Sequence, residues 1–385
     1  MSAHAASSPT AGSGGGPGSG LPVLGQLSLV SRALLLATLV ASVVAVVLDF
    51  GLHADATVVF LAAAVAILGL AWVVGLSTER LGSLTGPQVG GILNATFGNI
   101  AELIIAFFAL QAGLIDVVKA SLTGSIIGNL LLVLGASVLL GGLRHGTQRF
   151  SSRVAGTNAA LLVVAVIGLF VPAVFAFSSS EPDQGVRTEE SVLVAILLMV
   201  GYVLSLIYQF RNPAETLGGR GEPEGHGGPA WSTRVAVAVL LLAAALLTVL
   251  SEILVSSIEG FVETFDLTPF FVGVVLIPTI GNLAEHLVAV QLAAKNKMEF
   301  AMAVSYGSSL QVALFVAPVL VLIGVVIGQP MDLVFTPLEV AAVAAAVGIS
   351  ALIALDGESN WLEGAMLLGV YLLLALAFYF LPVAA

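Results

Sequence analysis

The sequence predicts an all-α integral membrane protein of eleven transmembrane helices, arranged as one extra N-terminal helix and two inverted five-helix repeats. Three observations predict it. The chain of 385 residues is 58% apolar and only 9% charged, with a mean hydropathy of +1.10, whereas soluble domains carry roughly a quarter charged residues. Apolar runs of roughly 18 residues or more recur along it, each long enough to cross the hydrocarbon. Two polar motifs then return at one fixed offset. The apolar runs are continuous rather than alternating with period two, which argues against a β-barrel.

Spans are expected near 33–50, 55–79, 88–112, 118–142, 156–177, 190–210, 233–255, 268–293, 299–327, 334–355 and 360–382. Residues 1–30 are rich in Gly, Ser, Ala and Pro and read as a disordered tail. They lack a basic n-region, and no convincing cleavage site follows, so the first apolar run (31–52) reads as a retained helix rather than a signal peptide. With the N-terminus in the cytoplasm, Arg32, Arg80, Arg144, Arg149, Arg153, Arg211, Arg220, Arg234, Lys295 and Lys297 all fall inside, and only Lys119 and Arg187 outside. That asymmetry predicts a cytoplasmic N-terminus and an external C-terminus. There is no cysteine, which excludes disulfides, thiolate metal sites and thiol nucleophiles.

The motif Gly-Asn-x-Ala-Glu occurs at Gly98–Glu102 and again at Gly281–Glu285, 183 positions on. Downstream, Gly124-Ser125 and Gly307-Ser308 align at the same offset, so both pairs of motifs keep a 26-residue separation. Apolar matches come cheaply in membrane sequences, but two polar motifs in one frame do not, and they indicate an internal duplication. Glu79 and Glu252 correspond in the helix before each motif, although the intervening loops differ in length. The first repeat then covers 53–210 and the second 233–385. Five helices per repeat is odd, so the halves enter the membrane with opposite polarity. The Gly/Pro/Glu-rich stretch 211–232 reads as a cytoplasmic linker.

Glu102 and Glu285 fall near the middle of their spans. An ionised carboxylate there costs roughly 2.5–3.5 kcal/mol on insertion scales, so a matched pair points to ion or proton handling. Asn99 and Asn282 stand three positions before the carboxylates. Gly98, Gly281 and Pro278 favour local unwinding that frees backbone carbonyls. This oxygen-rich inventory suits Ca²⁺, which takes 6–8 oxygens at roughly 2.3–2.6 Å. Ser125, Asn129, Ser308, Ser309 and Gln311 lie near the second motif. Small-residue spacing there also serves close helix packing, whereas a buried amide such as Gln311 needs partners. His286, adjacent to Glu285, points to another helix face and reads as a hydrogen-bonding or packing residue. Glu79 and Glu252 are candidates for a proton path. The run 356–364, with Asp356, Glu358 and Glu363, reads as a loop and interface anchor.

The stretches "GGILNATFGNIAELI" (90–104), "GSIIGNLLLVLG" (124–135), "GNLAEHLVAVQLAAKNKME" (281–299) and "GSSLQVALFVAP" (307–318) resemble the two repeat regions of the calcium/proton exchanger family, within the cation/calcium exchanger superfamily. The likeness covers about residues 30–385. It implies an inverted-repeat bundle with Glu102 and Glu285 as central cation ligands, Asn99 and Asn282 as close companions, and Ser308 and Gln311 facing the same site.

The expected function is secondary active antiport of Ca²⁺ against H⁺ by alternating access, cation and protons competing for the carboxylate pair. With both carboxylates ionised, the pair matches the charge of Ca²⁺. Without metal they repel each other in a low dielectric, and proton uptake is easy. The rival within transport is a Na⁺/H⁺ or broader cation/H⁺ antiporter using the same pair. A channel would lack proton coupling, and a membrane hydrolase would need a water-activating triad that the five histidines do not supply. The expectation is therefore a transporter and not an enzyme. Its substrates are Ca²⁺ and H⁺, with no cofactor and no nucleic-acid partner, and homo-oligomerisation is left open. Short loops and a minimal linker point to a prokaryotic plasma membrane.

Overall fold

The computed structural model of the chain describes residues 28–85, 96–178, 183–212 and 231–380. Most of the expected tail and linker lies outside these residues. Ten helices among them are long and apolar enough to cross a membrane. They are α1 (Leu29–Gly51), α2 (Ala56–Thr85), α4 (Ile115–His145), α5 (Ser152–Ser178), α6 (Gln184–Arg211), α7 (Thr233–Ser256), α8 (Pro269–Ala294), α9 (Met298–Ile327), α10 (Pro337–Asp356) and α11 (Trp361–Tyr379). The third expected span is represented among the described residues by a shorter apolar helix, α3 (Ile100–Gln111), which starts after the turn at Gly98–Asn99.

Local chemistry sets the helix ends. Ser28, Asp183, Ser232 and Thr268 accept backbone N–H groups at the starts of α1, α6, α7 and α8. Thr336 with Glu339 and Asn360 with Glu363 form capping boxes on α10 and α11. Gly328 and Gly357 end α9 and α10 in the left-handed conformation that glycine adopts without strain. Besides the helices, Gln148–Arg149 and Glu358–Ser359 pair as a two-residue antiparallel ladder.

The duplication is visible in the element boundaries. α3 and α8 end at Gln111 and Ala294, and α4 and α9 begin at Ile115 and Met298. Both long helices carry a π-turn at matched places, Gly128–Val133 and Val312–Val316, after which regular helix resumes at Leu134 and Ala317. Each of these pairs keeps the 183-residue offset of the motifs except the π-turn starts, which differ by one residue.

Two groups of loops define two faces. On the first, His145 Nε2 meets the Ala294 carbonyl at 2.9 Å, Gln148 donates to Ala293 O and Asn296 Oδ1, and the 148–149/358–359 ladder closes. Arg144, Arg149, Lys295 and Lys297 lie here, so we call it the basic face. On the opposite face, Lys119 pairs with Asp332, Leu333 N donates to Ser191 Oγ, and Thr57 meets Thr264. α2 and α7 pack together extensively and run antiparallel, since Ala56 at the start of α2 touches Gly260 just after α7.

α4 is the most enclosed helix, with 72% of its apolar window buried, against 17% for α1 and α11. It approaches α8 at backbone distance: a Cβ on Gly124 would overlap the Val274 carbonyl, and one on Gly273 would meet Ala120 and Val117. Exposed Leu197, Leu204 and Leu373 lie on outer helices and form a lateral surface suited to hydrocarbon.

Gly124→Val should therefore destabilise the bundle by about 1–3 kcal/mol or more, since backbone cannot yield as a side-chain tip can. Gly128→Ala, whose Cβ meets nothing within 4 Å, should leave the melting temperature of the purified protein unchanged. Fluorescence-monitored thermal unfolding of both variants checks this.

Candidate functional site

The first Gly-Asn motif interrupts its helix. Gly98 and Asn99 form a turn, and α3 starts at Ile100 with Asn99 at φ −100° and ψ 22°. The Asn99 side chain does not cap α3. It reaches across to the second repeat, donating from Nδ2 to Gln311 Oε1 and accepting the Ser308 hydroxyl at 3.0 Å. The break also places Glu102 in the first turn of α3, where the positive end of the helix dipole favours a carboxylate.

Glu102 is 7% exposed, and both its protein partners sit on one oxygen. Oε1 accepts Ser125 Oγ at 2.6 Å and the Nδ2 of Asn282 from the other repeat. Oε2 is buried and has no hydrogen-bond partner among the described residues.

The second motif behaves differently, and one expectation is corrected here. Gly281 and Asn282 do not unwind. They lie inside regular α8 helix running from Ile277, and the irregularity sits upstream as a π-turn at Val272–Leu276, immediately before Pro278. That turn accommodates a proline with no N–H to give the helix. Gly281 instead provides room: a Cβ there would lie 2.9 Å from Glu102 Cγ. Glu285 therefore stands in mid-helix with no helix terminus beside it. It stands one helical turn beyond Gly281, which packs against Glu102 Cγ, and the neighbouring Ser308 gives its hydroxyl proton to Asn99.

Asn99, Glu102, Ser125, Asn282, Glu285, Ser308 and Gln311 thus converge where α3, α4, α8 and α9 meet. Glu79 and Glu252 do not join them. Both are exposed, near the far ends of the antiparallel α2 and α7. At the 356–364 loop, Glu358 pairs with Arg149 at 3.0 Å and Glu363 completes its capping box. Ser309 donates to the Ser305 carbonyl within its own helix, a packing arrangement.

A small cavity of about 10 Å³ adjoins Glu102 and Ser125, bounded by Ala106, Leu122, Pro278 and Val316 among others. Along each helix these boundary residues lie on the opposite-face side of the site. Toward the basic face, His286 Nε2 meets Asn129 Oδ1 at 3.2 Å, both side chains being buried. The sequence offered each residue singly but not their contact, because the frame pairs them with apolar Leu103 and Val312. The buried link of Thr123 to Glu339 at 3.0 Å also went unread, since Glu339 is fully accounted for locally by its capping box.

A multi-pass helical bundle with duplicated polar motifs meeting at its central helix crossing defines a membrane cation-exchanger architecture. The sodium/calcium exchanger protein family matches this chain over residues 55–211 and 235–380, and the chain belongs to that family. It is 45% identical over 346 residues to a Ca²⁺/H⁺ antiporter of Aphanothece halophytica, covering 86% of this chain and 92% of that protein. It is 41% identical over 340 residues to the Ca²⁺/H⁺ antiporter ChaA of Bacillus subtilis (strain 168), covering 86% and 94%. The solved structure of native YfkE superposes with a TM-score of 0.78 at 36% identity, covering 90% of this chain and all of that one.

Removing Asn129 should leave a buried imidazole nitrogen without its partner. We expect Asn129→Ala to cost roughly 1–3 kcal/mol and Asn129→Ala/His286→Leu to recover part of that loss. A double-mutant cycle on thermal unfolding gives the coupling.

Proposed function

We propose that the chain is a secondary antiporter that exchanges Ca²⁺ for H⁺ at a site formed by Glu102 and Glu285, with Asn99 and Asn282 as companions. One observation carries the reading: Glu102 is buried between helices of both repeats, with one oxygen held by two donors and the other uncommitted, and a second carboxylate, Glu285, one helical turn beyond the Gly281 that packs on it. A buried anion so arranged is suited to accept either a hard cation or a proton. The Ca²⁺/H⁺ antiporters among the relatives support the same substrates. Ser125, Ser308 and Gln311 orient the pair, and Ca²⁺ is the cargo rather than a resident cofactor.

In this reading the two repeats, 53–210 and 233–385, are inverted relative to each other and the crossings number eleven. The loop grouping supports that. α2 runs from the opposite face to the basic face, and α4 begins again at the opposite face, so the intervening chain, including α3, makes one further crossing. The basic face is then cytoplasmic, with the N-terminus inside and the C-terminus outside, in a prokaryotic plasma membrane. Exchange follows from charge: an empty, doubly ionised pair is too costly to carry between the two access states, whereas a Ca²⁺-loaded or protonated pair is not. Neutrality requires two protons per Ca²⁺ from the pair alone.

The test is ⁴⁵Ca²⁺ uptake into proteoliposomes under an imposed pH gradient. The wild type should show proton-driven uptake, and Glu102→Gln and Glu285→Gln should each abolish it. Flux indifferent to the gradient would sink antiport, and Na⁺-dependent proton movement without Ca²⁺ would favour a Na⁺/H⁺ antiporter on the same pair.

Because Ca²⁺ needs the ionised carboxylates, lowering the pH should weaken apparent Ca²⁺ affinity and raising it should strengthen affinity until the pair is fully ionised. Equilibrium ⁴⁵Ca²⁺ binding across a pH series reads this directly, and a pH-independent Kd would contradict proton competition.

A further inference from the structure

Superposing the two repeats at the 183-residue offset pairs Asn99 with Asn282, Glu102 with Glu285, Ser125 with Ser308 and Gly128 with Gln311. The first three pairs are chemically alike. The fourth is not, and the hydrogen bonds divide along it. Asn99 directs its amide at Gln311, committing one of its two N–H groups there. The matching acceptor for Asn282 would stand at position 128, where there is no side chain, and Asn282 donates to Glu102 instead. Glu102 consequently holds two donors, Ser125 and Asn282. Asn99 makes no matching bond to Glu285 among the described residues, and the Ser308 hydroxyl goes to Asn99 Oδ1.

We propose that the Gly128/Gln311 inequality is the device that makes the two carboxylates inequivalent. Gln311 is a positioning residue that draws Asn99 away from Glu285, and the bare Gly128 is what leaves Asn282 free to serve Glu102. The inference deepens the exchange reading and rests on it for the identity of the cargo. Nothing steric requires glycine at 128: its backbone is ordinary right-handed helix, φ −59° and ψ −48°, and a Cβ there would meet nothing within 4 Å. The glycine is therefore explained by what its missing side chain permits. An N–H fixed on a carboxylate oxygen steadies its negative charge and sets how the carboxylate is presented to a cation. Moving one donor therefore moves Ca²⁺ affinity at the carboxylate that gains or loses it.

The experiment compares Gly128→Gln, Gln311→Gly and the double variant, with Gly128→Ala as the size control. Ca²⁺ Kd comes from ⁴⁵Ca²⁺ binding to purified full-length protein, and KM and maximal rate from proton-driven flux. Gly128→Gln should draw Asn282 off Glu102 and weaken Ca²⁺ binding roughly tenfold, the size of one hydrogen bond to a charged group. Gln311→Gly should release Asn99 to Glu285, tighten binding by a similar factor and slow turnover. The double variant, with the donor pattern mirrored between repeats, should return Kd to within about threefold of wild type, and Gly128→Ala should not move it. A Kd for Gly128→Gln within about twofold of wild type would overturn the inference. So would a double variant that keeps the Gly128→Gln defect, because a merely structural lesion is not repaired by a second substitution across the site. Ca²⁺ binding without proton-driven flux in the wild type would overturn the exchange reading while the Kd comparison still decides this one. A wild type that binds no Ca²⁺ would overturn both.

Discussion

A carboxylate enclosed among membrane helices has to be satisfied by the protein, and the centre of this fold is arranged around doing so for Glu102. Ionised at mid-depth it would cost roughly 2.5–3.5 kcal/mol. The chain offsets this with three local devices: the helix start created by the Gly98–Asn99 turn, the Ser125 hydroxyl, and the amide of Asn282. These come from α3, α4 and α8, so satisfying one side chain ties both repeats together. The packing follows from the same need. α8 lies against Glu102 because Gly281 has no Cβ, and α4 reaches α8 because Gly124 and Gly273 have none.

The π-turns then reconcile that centre with the periphery. One residue added to a helix turns the following face by about 100°. In α4 the insertion comes just after Ser125. The segment bearing Gly124 and Ser125 can thus face α8, while Gly135, Leu139 and Gly142 beyond it face α11, where Leu367, Gly364 and Trp361 approach at backbone distance. The matched turn in α9 follows Ser308 and Gln311 in the same way, and the helix beyond it packs on α6. Both breaks in regularity lie beside the polar residues, so each helix carries a site-facing segment and a scaffold segment of different orientation.

Much of this was legible in the sequence for a simple reason. In apolar runs a Glu, Asn or Gln stands out, and a polar residue that returns at a fixed offset cannot be accidental. The seven residues at the centre were found that way, as were the long helices. The rest depended on contacts that no offset encodes. The same Gly-Asn dipeptide breaks a helix at 98 and not at 281, because at the second site the π-turn ahead of Pro278 has already absorbed the irregularity. Asn129 and His286 meet 157 residues apart with apolar counterparts in the other repeat, so the frame was silent about them. Glu339 looks like an ordinary capping residue, and its bond to Thr123 depends on how α10 docks against α4. Glu79 and Glu252 correspond in sequence yet stand near opposite ends of an antiparallel pair, so the correspondence does not bring them together.

Inversion also changes what a departure from symmetry means. If two inverted repeats were identical, a cation would meet the same groups in the same order from either side, and nothing in the protein would distinguish entry from exit. Around the carboxylates some of the departures are polar. Gln311 stands opposite Gly128, and the buried His286–Asn129 contact toward the basic face stands opposite Leu103 and Val312. The cavity beside Glu102 and Ser125 lies on the opposite-face side and the His286–Asn129 contact on the basic-face side, so the carboxylates' surroundings differ in the two directions. A pair with unequal donors likewise does not hold its two carboxylates alike. Beside the carboxylates the two halves therefore differ at three paired positions, 103/286, 128/311 and 129/312. The membrane-spanning packing can then stay nearly symmetric while the chemistry it encloses is not.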